Sequence, residues 1–376
     1  MAVYYHEGKF PPESLDWQRI IGPLADATEA IARYDSFLGI IPDADILIAP
    51  LMTQEAVTSS RIEGTKATVG DVLAYEAGSS ELDPARRNDI MEVINYQQAV
   101  TVAGEMLGDV PLSGRVLRSA HRVLLSGVRG QYKSPGKYRI EQNWIGRTYD
   151  ISEARYVPPA PEKVEDAMAE WERFVNDGTM PALVRVSIAH AEFESIHPFL
   201  DGNGRIGRMI IPLMLCQERL MSHPCFYLSE FFEHRNSEYQ DRLLAVSRDG
   251  AWTEWCEFFL GAMAHQAREN HEKAEMIYSL FERTRARLIE LTSSAYSDKV
   301  VTALFRAAIF QTTRVIKDSS VNPKTARRLL AALKEDGLLI ELEPASGSKP
   351  AIYLFPELFR ISEGIDRGTG ESIKLD

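Results

Sequence analysis

Two apolar, helix-patterned stretches, residues 182–196 and 209–220, are separated by a run that no straight helix can cross, His197-Pro-Phe-Leu-Asp-Gly-Asn-Gly204. Proline lacks a backbone donor and clashes with the preceding turn, and glycine weakens a helix interior. The chain is therefore held to a helix–turn–helix unit whose turn is loaded with reactive side chains. Residues 197–208 place one imidazole, one carboxylate, three glycines, one amide and two guanidinium groups within twelve positions.

The residue types in this turn suit anion chemistry. The first N–H groups of a helix have no intrahelical partner and carry the positive end of its dipole. Gly202 and Gly204 offer no Cβ to block an anion at the helix mouth. Arg205 and Arg208 lie three apart, on one helical face, and can reach one polyphosphate together. Asp201 suits Mg²⁺, which prefers a carboxylate, waters and phosphate oxygens. His197 can take a proton from a hydroxyl near neutral pH. The set points to nucleotidyl or phosphoryl transfer.

Gly202-Asn-Gly204-Arg-Ile-Gly207 also matches the dinucleotide fingerprint formally, but that fingerprint follows a strand inside a βαβ unit. Residues 182–196 carry apolar positions at three and four spacing, which is helical. No Gly-x-x-x-x-Gly-Lys-Ser/Thr phosphate loop occurs in the chain.

His197–Arg208 resembles the signature of the Fic family, His-x-Phe-x-Asp/Glu-Gly-Asn-Gly-Arg-x-x-Arg, at every defined position. Resemblance extends over roughly residues 40–265. Gly136-Lys-Tyr-Arg-Ile-Glu-Gln-Asn-Trp-Ile-Gly146 and Tyr156-Val-Pro-Pro159 resemble the family's β-hairpin flap, here 136–159. The resemblance implies a mainly helical core and transfer of AMP from ATP to a Ser, Thr or Tyr hydroxyl of a protein, the enzyme itself included. It implies Mg²⁺ on Asp201 and nucleotide contacts from Gly202, Asn203, Gly204, Arg205, Gly207, Arg208 and Tyr239. It further implies target docking along Ile145, Gly146, Tyr156 and Val157.

Ser59-Ser-Arg-Ile-Glu63-Gly64 resembles the family's inhibitory motif, Ser/Thr-x-x-x-Glu-Gly/Asn, placed upstream of the core. Ser59 and Glu63 lie four apart on one face of a helix that Gly64 can end. By resemblance Glu63 pairs with Arg208, taking the fork that a γ-phosphate needs. In some relatives the same glutamate helps remove AMP from a modified protein, and the family often forms dimers.

The chain of 376 residues has room for two or three domains. A net charge of −12 opposes non-specific binding to nucleic acid or an anionic membrane. Three cysteines, Cys216, Cys225 and Cys256, show no metal-ligand spacing. With no signal pattern and no apolar run of membrane-spanning length, the expected location is cytoplasmic. Helical patterns run at about 17–38, 45–62, 68–76, 84–106, 114–125, 162–176, 181–196, 204–220, 229–247 and 252–293, and residues 1–16 look like an extended arm.

The expected domains are a helical region 1–110 carrying the 59–64 motif, a Fic core 111–265, a connecting helix 266–293 and a module 294–376. The last reads helix, helix, helix, strand, loop, strand, which resembles a winged helix. Its 313–337 segment carries Arg314, Lys317, Lys324, Arg327, Arg328 and Lys334 against three acids, so DNA contact through 313–350 is an alternative function.

Each sharp reading has a plainer companion. His190 and His197, seven apart, suggest a metal pair, but packing suits His190 better without a His-Glu-x-x-His context. Asp201 fits a helix N-cap as well as a metal ligand. Glu63 fits a surface helix, and Tyr239 fits a core position.

Overall fold

The structure is a computed structural model, and it describes residues 2–41, 43–79, 86–146 and 150–364. The tip of the expected flap, 147–149, and the end of the C-terminal module, 365–376, lie outside those residues. The protein is mainly α-helical.

A short strand β1 (Val3–Tyr4) precedes α1 (Trp17–Ile40), α2 (Asp45–Ile62), α3 (Val69–Glu76), α4 (Arg87–Leu107) and α5 (Gly114–Leu124). Strand β2 (Tyr156–Val157) is followed by α6 (Val164–Val175), α7 (Ala182–Ile196), α8 (Asn203–Gln217), α9 (Ser229–His234), α10 (Asn236–Asp249) and α11 (Trp252–Thr292). The remaining elements are α12 (Ser297–Leu304), β3 (Ile309–Gln311), α13 (Thr312–Ser319), α14 (Pro323–Glu335), β4 (Ile340–Glu343), β5 (Ile352–Leu354) and α15 (Pro356–Glu363). The expected helix at 229–247 is two helices parted at Arg235.

The chain divides into two compact units. One comprises 1–36, 58–64 and 94–269, and the other 37–57, 65–93 and 270–376. In the first, α7 and α8 pack against each other. Both are buried on nearly every face, the mark of core helices. Three of the charged or polar side chains buried on α7 are tied by hydrogen bonds. Arg185 donates to the carbonyls of Asp177 (2.5 Å) and Met180 (3.0 Å). Glu192 accepts from the Tyr5 hydroxyl at 2.6 Å and lies 2.8 Å from Nε2 of His6. His190 donates from Nδ1 to the Gly207 carbonyl (2.9 Å), so Tyr239 donates its hydroxyl to Nε2 (2.8 Å). Burial pushes the His190 imidazole down to about 3, a neutral packing histidine. These bonds fix the helix pair that carries the 197–208 turn.

The N-terminal arm is more than an extended leader. β1 pairs with β2 in parallel register, Val3 with Tyr156 and Tyr4 with Val157. In the second unit, α14 begins on an Asn322 cap that accepts from the Lys324 N–H at 3.0 Å. Its apolar Ala326, Leu329, Leu330 and Leu333 are all buried, at helical spacing. The three strands form one antiparallel sheet in the order β3-β5-β4. Strand β3, between α12 and α13, was not anticipated, because three residues are too few to show an alternating pattern.

Candidate functional site

The turn opens where α7 ends. His197 takes a left-handed conformation (φ 50°, ψ 58°), uncommon for a residue with a Cβ. Two side chains hold its carbonyl there. Arg139 donates from Nε to the His197 carbonyl at 3.0 Å, and from Nη2 to the Pro159 carbonyl at 2.6 Å. Asn143 donates from Nδ2 to the carbonyls of His197 (3.3 Å) and Phe199 (3.0 Å). The His197 ring lies on the cavity wall, with Nδ1 3.4 Å from the Glu194 carbonyl oxygen. That oxygen can only accept, so Nδ1 carries the proton and Nε2 is left as the base. Burial pushes the imidazole down to about 4, so it is unprotonated at neutral pH.

The loop then closes on itself. Asn203 accepts the Phe199 N–H through Oδ1 and returns Nδ2 to the Phe199 carbonyl, both at 2.8 Å. His121 stacks on Phe199 (3.8 Å between centroids, 9° interplanar). It accepts the Gly136 N–H at Nδ1, so Nε2–H donates to the Asp201 carbonyl at 2.9 Å. Gly202 caps α8 with φ 78°, a conformation that favours glycine. The cap is thus Gly202 and not Asp201, whose carboxylate stays available and lies 3.6 Å from Nη2 of Arg205. The first intrahelical bond runs from Ile206 N–H to Gly202, which leaves the amides of Asn203, Gly204 and Arg205 without helical acceptors.

Arg208, one turn further, is buried at 3% exposure. Its guanidinium donates from Nε to Ser59 Oγ (2.9 Å), and from Nη2 to the Ser59 carbonyl (2.7 Å) and Glu63 Oε1 (2.8 Å). Burial is the largest single effect and pushes the Glu63 carboxyl up, but the charge and hydrogen bond of Arg208 together with the charge of Arg205 outweigh it and hold Glu63 below the usual carboxylate range. Gly64, at φ 94°, ends this turn. A methyl group on Gly204 would collide with Glu63 Oε1, so the missing Cβ is what lets the carboxylate reach the mouth of α8. These groups border a cavity of ≈ 380 Å³ lined by Glu63, Trp144, Ile145, Glu194, His197 and Tyr239, among others.

Two family models match this chain, Fic/DOC family N-terminal over residues 21–105 and Fic/DOC family over residues 111–215, together half of its length. The chain belongs to the Fic/DOC family. It is 34% identical over 83 residues to protein adenylyltransferase fic-1 of Caenorhabditis briggsae, covering 21% of this chain and 15% of that protein. It is 24% identical over 166 residues to protein adenylyltransferase Fic of Drosophila yakuba, covering 43% of this chain and 32% of that protein. The chain thus spans less than a third of either relative. The crystal structure of a Fic family protein from Desulfovibrio desulfuricans G20 superposes with a TM-score of 0.60 at 22% identity, over 96% of this chain and 99% of that one.

Within this Fic core, Glu63, Gly204, Arg208, Tyr239, Ile145, Gly146 and Tyr156 line one cavity with His197. Asp201, Gly202, Asn203 and Arg205 build the turn beside Gly204. Val157 sits in β2, and Ser59 reaches the cavity through its grip on Arg208. Gly207 lies in the second turn of α8 with its carbonyl bonded to His190, away from the helix mouth. The flap is brief. Ile145 and Tyr156 exchange N–H···O bonds (2.9 and 3.1 Å) as an isolated antiparallel bridge, and β1 occupies the other edge of β2.

Sequence reasoning missed Arg139, Asn143, His121 and Glu194. Glu194 had a signal, since it lies three residues before His197 on the same helical face. The others reach His197 or its loop from 54 to 80 positions away, and spacing cannot show that.

Among the described residues, no three His, Cys, Asp or Glu side chains gather as a metal cage. The donor set still fits Mg²⁺, which commonly uses one or two carboxylates and completes its shell with phosphate and water. Asp201 offers such a carboxylate, 34% exposed, at the mouth of α8.

Proposed function

We propose that this protein is an adenylyltransferase that moves AMP from ATP to a protein hydroxyl, and that Glu63 restrains it. The observation that carries the reading is the hold of Ser59 and Glu63 on Arg208, a phosphate-binding fork tied down beside a neutral histidine and a helix mouth. The names of the adenylyltransferase relatives support the same chemistry.

In the reaction, the target hydroxyl gives its proton to Nε2 of His197 as its oxygen bonds to the α-phosphorus of ATP. The bond from that phosphorus to the bridging oxygen breaks, and pyrophosphate leaves. Amides at the start of α8, with Arg205, stabilise the charge that develops on the phosphoryl oxygens. Mg²⁺ held by Asp201 would neutralise phosphate charge. The polyphosphate's own negative charge raises the His197 imidazole toward its ordinary range and makes it a better base. The target lies along Ile145 and Gly146, where Ile145 is 40% exposed. Arg208 can hold a γ-phosphate only when Glu63 leaves. Labelled ATP tests the reading. Glu63→Gly protein is expected to gain AMP, and the same protein carrying His197→Ala is not. Equal labelling of both variants contradicts it. Removal of AMP by water, assisted by Glu63, is the reverse use of this site, and it requires that wild-type protein strip AMP from a modified target.

A second reading, contact with DNA, concerns the other unit. Lys324, Arg327 and Arg328 are exposed on one face of α14, and among the described residues no carboxylate pairs with them. The order α12-β3-α13-α14-β4-β5 supports a winged-helix assignment for this segment. The test is a salt-dependent shift of duplex DNA by the full chain, weakened by Arg327→Ala and Arg328→Ala. No shift at low salt removes the reading.

A further inference from the structure

The cavity holds a second acid that the reaction above does not use. Glu194 sits one helical turn before His197 on α7 and lines the cavity with Glu63 and Arg208. Its Oε1 is buried and has no hydrogen-bond partner. A methyl group on Gly207 would collide with that same oxygen and with the carboxyl carbon behind it. The glycine thus admits the carboxyl to the backbone of α8 directly beside Arg208. An unpartnered polar oxygen at a buried position is costly, and its retention calls for a function.

The hydrogen bonds of Arg208 described above all go to Ser59 and Glu63. If the 59–63 turn withdraws, a buried guanidinium loses its carboxylate, and an unpaired buried charge is strongly unfavourable. We propose that Glu194 is the reserve partner of Arg208, the carboxyl that takes up the guanidinium's charge when Glu63 leaves. This inference rests on the reading of Arg208 as a γ-phosphate fork.

The electrostatics run in the same direction. The groups around Glu194 are Arg208 on α8, Glu63 in the turn after α2, Tyr239 on α10, His190 on its own helix and His197 at that helix's C-cap. Burial pushes Glu194 up to about 7, Arg208 opposes this, and Glu63 adds to it. Both histidines are neutral, and Tyr239 is pushed well above its ordinary range. With Glu63 in place, Glu194 therefore titrates near neutrality and holds a proton in about half of the molecules at pH 7. Loss of Glu63 removes a negative charge that keeps it neutral, and Glu194 ionises beside Arg208. An ionised Glu194 then competes with a γ-phosphate for the same guanidinium. Glu194 is a positioning residue, acting on the nucleotide through Arg208.

The experiment compares ATP binding by Glu63→Gly with that by Glu63→Gly/Glu194→Gln, between pH 6 and 8. ATP's own ionisation is common to both and cancels in their ratio. The ratio of affinities is expected to change about tenfold across the range, with the double variant binding more tightly at pH 8. ADP, which has no γ-phosphate, is expected to show a much smaller change. Parallel ATP curves overturn the inference while leaving the site reading intact. Failure of both variants to bind ATP overturns the site reading, and the inference with it. A second measurement does not depend on the double variant folding. Infrared difference spectra at pH 7 are expected to show a protonated-carboxyl band in wild type that Glu63→Gly loses and that Glu194→Gln assigns. The same band persisting in Glu63→Gly contradicts the proposal.

Discussion

Replacing Glu63 by glutamine or glycine probes the restraint in two steps. Glu63 and Arg208 meet at 2.8 Å, with the guanidinium buried and the carboxylate side chain 33% exposed. A hydrogen bond to a charged group contributes about 1.5–3 kcal/mol, and solvent at the exposed carboxylate favours the lower half of that range. Glutamine keeps an acceptor oxygen for Nη2 and loses the charge, so the closed state weakens by about 1 kcal/mol. Glycine removes the contact and weakens it by about 2 kcal/mol. While the open fraction is small, it grows about tenfold for each 1.4 kcal/mol. Self-labelling is therefore expected to rise about fivefold in Glu63→Gln and about thirtyfold in Glu63→Gly. The assay is the initial rate of label transfer from α-labelled ATP, with intact mass confirming one AMP per site. His197→Ala in the same background supplies the zero. Rates equal to wild type in both variants, with ATP binding intact, refute the reasoning. So does Glu63→Gln exceeding Glu63→Gly, because a retained acceptor cannot release more of the closed state than none.

Other expectations follow from the same contacts. His197→Ala in the Glu63→Gly background is expected to cut the rate by at least a hundredfold with ATP affinity within about threefold, since general-base loss affects the chemical step; a matching loss of affinity would assign His197 to binding instead. The folded imidazole is held near 4, below the unfolded value, so the unfolded chain binds more protons between those values. On this account His197 weakens the fold as pH falls from about 6.5 toward 4, and denaturant midpoints should fall less over that window in His197→Ala. Glu63 has the depressed carboxylate pattern, so its contact with Arg208 is intact above the ordinary carboxylate range and is lost as pH falls through its lowered value. Gly207→Ala, whose methyl would meet the Glu194 carboxyl, is expected to destabilise by about 1–3 kcal/mol in chemical denaturation. Gly261→Ala, where the added methyl meets nothing within 4 Å, is the control, with no comparable loss.

Much of the first unit was legible because its determinants are local. The α7–turn–α8 unit follows from helical periodicity on both sides of a Pro- and Gly-bearing run. The four-residue spacing of Ser59 and Glu63 puts both on one helical face, as Arg208 requires. What stayed hidden depends on distant contact. β1 is two residues long and finds its partner more than 150 positions away, so no alternation marks it. Arg139 and Asn143 stand within a segment already singled out, yet their grip on the His197 carbonyl depends on tertiary folding. Asn203, by resemblance a nucleotide contact, closes the loop by pairing its amide with both backbone groups of Phe199, a partner four residues back that spacing alone does not name. The break at Arg235 was missed because the apolar period continues across it.

The central claim is that a nucleoside triphosphate binds at the mouth of α8 once Glu63 is gone. The direct measurement is a crystal structure of Glu63→Gly protein soaked with magnesium and a non-hydrolysable ATP analogue. The account expects density for the triphosphate between His197, the Gly202–Gly204 turn and a released Arg208, with the base toward Tyr239. A cavity left without nucleotide at saturating analogue, or one with the triphosphate bound away from both His197 and Arg208, contradicts it.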